Sequence, residues 1–372
     1  MRMMVFIGAV LAGVAGMARA EFTLHVLHTN DFHSRIEPVN AYDSTCSPKD
    51  AAAEACFGGV ARLKAKIDAL RDAIRAESGN VIVLDAGDQF QGSLYYSTYK
   101  GAVEAEILKT IGYDAMAVGN HEFDDGPAGL ANLADRVSLP LLSGNLDLAG
   151  KARLIGKIEN YVVLDVGGEK VGIISALATD TVDTSSPGKG VVFQDEIDSL
   201  ATDVATLTAA GVTKIIALNH VGILKDTKIA RVVTGIDAVV GGHSHTLLST
   251  SGPARLGPYP MWIDGAIGRP VPVVQAYAYG KYLGHLILTF DDAGALISAT
   301  GDTILLDASV IPDLAVVARL AELSAPIEAL KTRVVATALA AIDGGRDSAG
   351  RENVRWAICW PRRFWTGWRG GG

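Results

Sequence analysis

The chain has 372 residues, of which 20% are charged, and a formal net charge of −8, so it presents no basic footprint for nucleic acid. That length suits one large domain or two ordinary ones. Beyond the first twenty residues no segment is apolar enough to span a bilayer.

The N-terminus reads as a leader. Arg2 gives a positive start, Met3 to Gly16 is almost wholly apolar, and Ala18-Arg19-Ala20 has the small-x-small form of a processing site. We expect a signal peptide over 1–20 cleaved after Ala20, leaving a mature protein exported to a bacterial periplasm without a membrane anchor. Short buried strands are expected at Thr23 to His28, Val81 to Leu84, Ala115 to Val118, Leu139 to Leu142, Tyr161 to Val166, Val171 to Ile174, Lys214 to Leu218 and Ala238 to Val240. Between them, Val60 to Ala76, Ala102 to Ile111, Ile197 to Ala210 and Leu224 to Val233 carry apolar residues at helical spacing. This alternation predicts an α/β fold with helices covering the sheets. After Pro270 the pattern changes to adjacent strands, Val271 to Tyr279 and Leu283 to Phe290. Cys46 and Cys56 share a polar loop, which in an exported protein suggests a disulfide, with free thiols or a zinc pair as alternatives.

Chemistry concentrates where hydrophobic runs end. NDFH at 30–33, GDQFQGS at 87–93, GNHEFD at 119–124, NHVG at 219–222 and GGHSHT at 241–246 all follow expected strands, the place where α/β folds keep their sites. They supply Asp31, His33, Asp88, Asn120, His220, His243 and His245, enough oxygen and nitrogen donors for two divalent ions. Asp31 and His33 alternate along an extended segment and can point at one ion. Gly87 beside Asp88 permits a tight turn. Carboxylate with imidazole suits Zn, Mn, Fe or Co better than Ca or Mg. Two metals together are a device for displacement at phosphorus. Taken singly, Asp-x-His or Gly-Asn-His is usually no more than a turn; it is their recurrence after strands that carries weight.

With these motifs, and with stretches such as GGVARLKAKI and VPVVQAYAYGKYLGHL, the chain from about Phe22 to Asp347 resembles the exported 5'-nucleotidase family of the calcineurin-like metallophosphoesterases. The resemblance implies a layered α/β/β/α sandwich and hydrolysis of nucleoside 5'-monophosphates, or a related phosphate ester, by water activated between two divalent metals. It implies that Asp88 bridges the ions, that Asp31, His33 and His245 complete one shell, and that Asn120, His220 and His243 complete the other. Position 245 is Asn or Gln in many relatives and His here. His121 is expected outside the shells, paired with Asp124, to stabilise the transition state or assist the leaving oxygen. For Asp124 the alternative is a helix N-cap before Gly126 to Ala134. His25, His28 and His285 are expected to be structural.

Relatives continue into a second domain that stacks the nucleobase between aromatic rings and holds the substrate with arginines. By that comparison 21–310 is the catalytic domain and 311–348 holds a bridging helix from Leu314 to Thr337 and the start of a truncated second domain, where substrate-binding residues would lie. Other readings are a cyclic-nucleotide, nucleotide-sugar or thiosulfate-ester hydrolase on the same centre, a metal-binding fragment inactive through truncation, and a recognition module without chemistry. The last 24 residues, 349–372, crowd Trp356, Trp360, Trp365 and Trp368 among arginines, with Cys359 between them. Codons for Trp356-Ala357-Ile358-Cys359-Trp360-Pro361, shifted back one base, are compatible with Met-Gly-Asn-Leu-x-Ala, the opening of the family's second domain. We expect an out-of-frame tail.

Overall fold

Asn80–Asp85 (NVIVLD) is a nearly continuous branched aliphatic run, as fits a strand covered on both faces, whereas Phe22–Thr29 (FTLHVLHT) mixes Leu24, Val26 and Leu27 with two histidines and two threonines. The computed structural model describes residues 21–334; the expected leader, the last residues of the 311–348 segment and the expected tail with Cys359 lie outside them.

Two sheets form the centre. One has seven strands in the spatial order Leu296–Leu305, Tyr282–Phe290, Phe22–Thr29, Asn80–Asp85, Ala115–Ala117, Leu141–Leu142 and Ile158–Glu159. The other has six, in the order Met261–Asp264, Pro270–Val274, Ala238–Gly241, Lys214–Asn219, Glu169–Ile174 and Tyr161–Val166. Leu24, Val26, Ile82 and Leu84 of the first sheet share one core with Ile173, Ile216, Leu218 and Val239 of the second. Helices Val60–Ala76 and Ala102–Ile111 lie outside the first sheet, and Glu196–Ala209 and Ile223–Val232 outside the second. This is the expected α/β/β/α layering.

Local chemistry fixes the elements. Val60, Leu63, Ile67 and Ile74 give the first long helix one buried face, and the Asp195 carboxylate caps Glu196–Ala209 by accepting from the Ile197 and Asp198 amides. The two helices expected at Val60 to Ala76 and Ala102 to Ile111 have those bounds.

Other expectations need correction. The strand expected to run from Val271 to Tyr279 spans Pro270–Val274. Beyond it, Gln275 turns its carboxamide to the Gly242 carbonyl and the Ser244 hydroxyl, and Ala276 donates to Asn30 Oδ1, so the chain bends into the loops. Pro140, which has no N–H, precedes a strand of only Leu141–Leu142. The strand Leu296–Leu305 and the helices Pro48–Ala52 and Leu94–Tyr99 were not expected. Among the described residues, 21–324 belong to one compact unit and 325–334 to another; the latter holds the end of the helix Leu314–Lys331 and the three residues after it. Cys46 and Cys56 are joined in a disulfide with Cα atoms 5.7 Å apart.

Candidate metal centre

Parallel pairing carries the five motif loops to one edge. Phe22–Thr29 runs parallel to Asn80–Asp85, and Lys214–Asn219 parallel to Ala238–Gly241. Pairing continues into the loops: the amides of Asp31, His33 and Ser34 donate to the carbonyls of Gly87, Asp88 and Gln89 at 2.9, 2.9 and 2.8 Å. The backbone is strained there. Asp31, His33, Asp88, His243 and His245 all have φ between 49° and 76°, a region that residues with a Cβ seldom adopt and that functional sites tolerate when surrounding bonds over-determine it. At Gly87, with φ 91°, a Cβ would stand 2.8 Å from the Gly119 nitrogen and 3.0 Å from His220 Nδ1, so no side chain fits between these loops.

The expected donors converge as two groups around Asp88. In the first, His33 Nε2 lies 2.9 Å from His245 Nε2, His245 Nε2 lies 3.3 Å from Asp31 Oδ1, and His33 Nε2 lies 3.9 Å from Asp88 Oδ2. In the second, His220 Nε2 is 3.1 Å from Asp88 Oδ2 and 3.2 Å from Asn120 Oδ1, and His243 Nδ1 is 2.9 Å from the same Asn120 oxygen. Asp31, Asp88 and His220 are almost wholly buried. His220 Nδ1 donates to the Ala86 carbonyl at 2.7 Å, which fixes its tautomer and aims Nε2 at Asp88.

The electrostatics are those of buried carboxylates and imidazoles that hold one another's protons. Burial opposes ionisation of Asp88, yet the charge and hydrogen bond of His220, with His33, hold its carboxyl well below the usual range. Burial likewise disfavours a charged His220, but Asp88 overcomes it and lifts the imidazole to about 10. Burial keeps His33 and His243 below the ordinary histidine value. Imidazole nitrogens and carboxylate oxygens therefore face one another, and a divalent cation would satisfy several of these lone pairs at once. Donor type and arrangement fit two such ions.

His121 stands beside the donors. Its ring lies edge-on to His33 with centroids 5.1 Å apart, and one of its nitrogens is within 4.8 Å of ligand atoms of His33 and Asp88. Its Nδ1 is 2.7 Å from Asp124 Oδ2. Burial lowers its basicity, but the Asp124 hydrogen bond and the Asp88 charge outweigh that and raise its pKa to about 9. The capping alternative for Asp124 fails: the helix Gly126–Ala134 begins after Asp125, without a side-chain cap.

Sequence reasoning passed over several groups. Glu122, quoted within GNHEFD but given no role, has no exposed surface. Its carboxylate accepts from the amides of Gly119 at 2.7 Å, Asp88 at 3.0 Å, Gln89 at 2.8 Å and Phe90 at 3.2 Å. It thereby clamps the Asp88 loop to the Asn120 loop. Asn30 donates to Asp31 Oδ2 at 2.6 Å and to the Tyr277 carbonyl. Tyr279 packs its ring against His33 and His245, with centroids 5.7 and 5.3 Å away, and carries the Arg35 guanidinium over its face at 5.5 Å. A carboxylate two residues after Asn120 in a Gly-Asn-His turn was the one available signal for Glu122; Tyr279 gave none.

The profile of the calcineurin-like phosphoesterases matches residues 24–247. The chain belongs to that family. Its members use two divalent metal ions. The snake venom 5'-nucleotidase of Gloydius brevicauda is 43% identical over 319 residues, covering 84% of this chain and 53% of that protein. Human 5'-nucleotidase is 42% identical over 349 residues, covering 92% of this chain and 59% of its own. Among solved structures, the 5'-nucleotidase precursor of Thermus thermophilus superposes with a TM-score of 0.79 at 37% identity, over 92% of this chain and 68% of that one. The chain thus spans little more than half the length of the curated relatives it matches.

Proposed function

We propose that this chain carries the hydrolytic half of an exported phosphoric monoester hydrolase of 5'-nucleotidase type, acting on nucleoside 5'-monophosphates. The observation that supports it most directly is the convergence of Asp31, His33 and His245 on one side of Asp88 and of Asn120, His220 and His243 on the other. We assign those two sets, with Asp88 shared, as holders of the two metals. Bound there, divalent ions would make water more acidic and offset charge on phosphoryl oxygens.

The remaining work falls to the protein. Glu122 holds the Asp88 amide and its neighbours, so the shared carboxylate stays oriented between the two donor sets. His121, with Nδ1 held by Asp124, is left with Nε2 for a substrate oxygen. As the phosphorus–oxygen bond to the nucleoside breaks, His121 donates one proton to the leaving oxygen, while the attacking water forms the new bond to phosphorus and gives up a proton to solvent. The disulfide and the leader-like N-terminus support export, and a periplasmic location follows on this reading. No described helix is long and apolar enough to cross a membrane.

The test compares phosphate release from adenosine 5'-monophosphate with cleavage of bis(p-nitrophenyl) phosphate, alongside elemental analysis. Monoester preference with about two metals per chain is the expected result. Preference for the diester would overturn the monoesterase assignment, and a metal-free protein after incubation with Zn or Mn would overturn the centre.

A further inference from the structure

Asp124 has a second partner. While its Oδ2 faces His121 Nδ1, its Oδ1 accepts a hydrogen bond of 2.6 Å from the hydroxyl of Ser185. Ser185 is far away in sequence and comes from the other sheet. It ends the short helix Thr181–Thr184, in the loop that follows Glu169–Ile174, whereas His121 and Asp124 follow Ala115–Ala117.

That loop is held at several points. The Ala178 amide donates to the His220 carbonyl at 2.9 Å, the Thr181 hydroxyl to the Ala178 carbonyl at 2.7 Å, and the Ser185 amide to the Thr181 carbonyl at 3.0 Å. The serine hydroxyl is therefore delivered by a scaffold tied to the strand that carries His220. Asp124 retains about 18% side-chain exposure, so without a second anchor water could compete for it and the carboxylate could rotate away from His121.

We propose that Ser185 is a positioning residue of the reaction: its hydroxyl pins one oxygen of Asp124 so that the other holds the Nδ1–H of His121 and with it the aim of the ring. The inference rests on the monoesterase reading given above. The chain Ser185–Asp124–His121 orders a donor in the manner of other hydroxyl–carboxylate–imidazole arrays, but here the hydroxyl serves as the anchor and no bond to it is made or broken. One proton leaves His121 for the departing oxygen, so the sensitivity of that step to Ser185 depends on how much the leaving group needs the proton. A nucleoside alkoxide needs it; p-nitrophenolate, a stable anion, does not.

The experiment uses the full zinc-loaded chain as wild type, Ser185→Ala and Ser185→Thr. Ser185→Ala should lower kcat on adenosine 5'-monophosphate by about tenfold or more, leave its KM and zinc content unchanged, and change kcat on p-nitrophenyl phosphate by less than about threefold. Ser185→Thr, which keeps the hydroxyl, should recover most of the loss. Equal losses on both esters, or none on either, would overturn the proposal. Proton NMR gives a readout independent of turnover: the His121 Nδ1 proton should be protected and downfield in wild type, broadened by exchange in Ser185→Ala, and restored in Ser185→Thr. An identical resonance in all three proteins would overturn the proposal even if the chain turns over neither ester; failure to hydrolyse either ester would instead count against the monoesterase reading.

Discussion

Two adjacent residues of the GNHEFD turn occupy different chemical positions. Asn120 presents its oxygen to His220 and His243, whereas His121 turns its ring toward Asp124. Asp88 is more central than either: its Oδ2 meets His220 and His33, and its Oδ1 accepts the His121 amide at 2.9 Å. Asp88→Asn should therefore lose metal and activity together, because a neutral amide would offset the charge of divalent cations held on either side of it less well than a carboxylate. His121→Asn should keep its metal and lose roughly 10²- to 10⁴-fold in kcat, the usual share of an acid–base group. Elemental analysis and kcat on the same preparations decide the matter, and equal metal loss in both variants would make His121 a ligand. Residue types in their spacing were enough to nominate the donors, because five loops that each end an apolar run with a carboxylate, amide or imidazole are more than turns alone require. Glu122 and Ser185 escaped notice for the opposite reason. A buried glutamate that caps amides and a serine that anchors a carboxylate look, in one dimension, like any other polar loop residue.

The strand pairs explain His28, one of the histidines that the site leaves unused. Tyr282–Phe290 runs antiparallel to Phe22–Thr29, with His28 opposite Gly284. A Cβ at Gly284 would come within 2.0 Å of the His28 ring, so that glycine is the slot into which the imidazole lies flat. His28 stacks parallel to Tyr259 and its Nε2 bonds the Tyr259 hydroxyl at 2.8 Å. Burial, helped by the charge of His285, lowers the His28 pKa from 6.5 to about 3. A histidine depressed in the folded state adds stability that is fully present above the unfolded value and is lost as pH falls toward the folded one. The window here is pH 6.5 to about 3. Chelator-treated protein should lose stability across it at up to about 1.4 kcal/mol per pH unit from this group. His28→Gln should be less stable at neutral pH yet show a shallower acid slope in urea titrations; parallel slopes would remove His28 from the account. The helices and most parallel strands of this layer could be read from periodicity. The path after Val274 could not, because it is set by Gln275 and Asn30 reaching across loops distant in sequence.

At the scale of the whole molecule, the donors tie the two sheets together. Asp31, His33, Asp88 and Asn120 follow strands of the seven-stranded sheet, and His220, His243 and His245 follow strands of the six-stranded one. The layers share an apolar core below this edge, but at the edge itself carboxylates and imidazoles face one another across the layers. Without cations that edge is held by hydrogen bonds among groups that also compete for protons. With cations, each ion would join donors from both sheets, and only the folded chain brings them within reach. Metal binding should therefore act as folding free energy. At a free metal concentration about a hundred times the dissociation constant, one site adds about 2.7 kcal/mol. Chelation should lower Tm, and zinc or manganese should restore it with a dependence on metal concentration. The effect should be much smaller in Asp88→Asn, which keeps the apolar core but loses the shared carboxylate. A Tm unmoved by chelator in a protein shown to contain two metals would mean that the ions bind the unfolded chain as well as the folded one, and that the closure of the two sheets owes nothing to them.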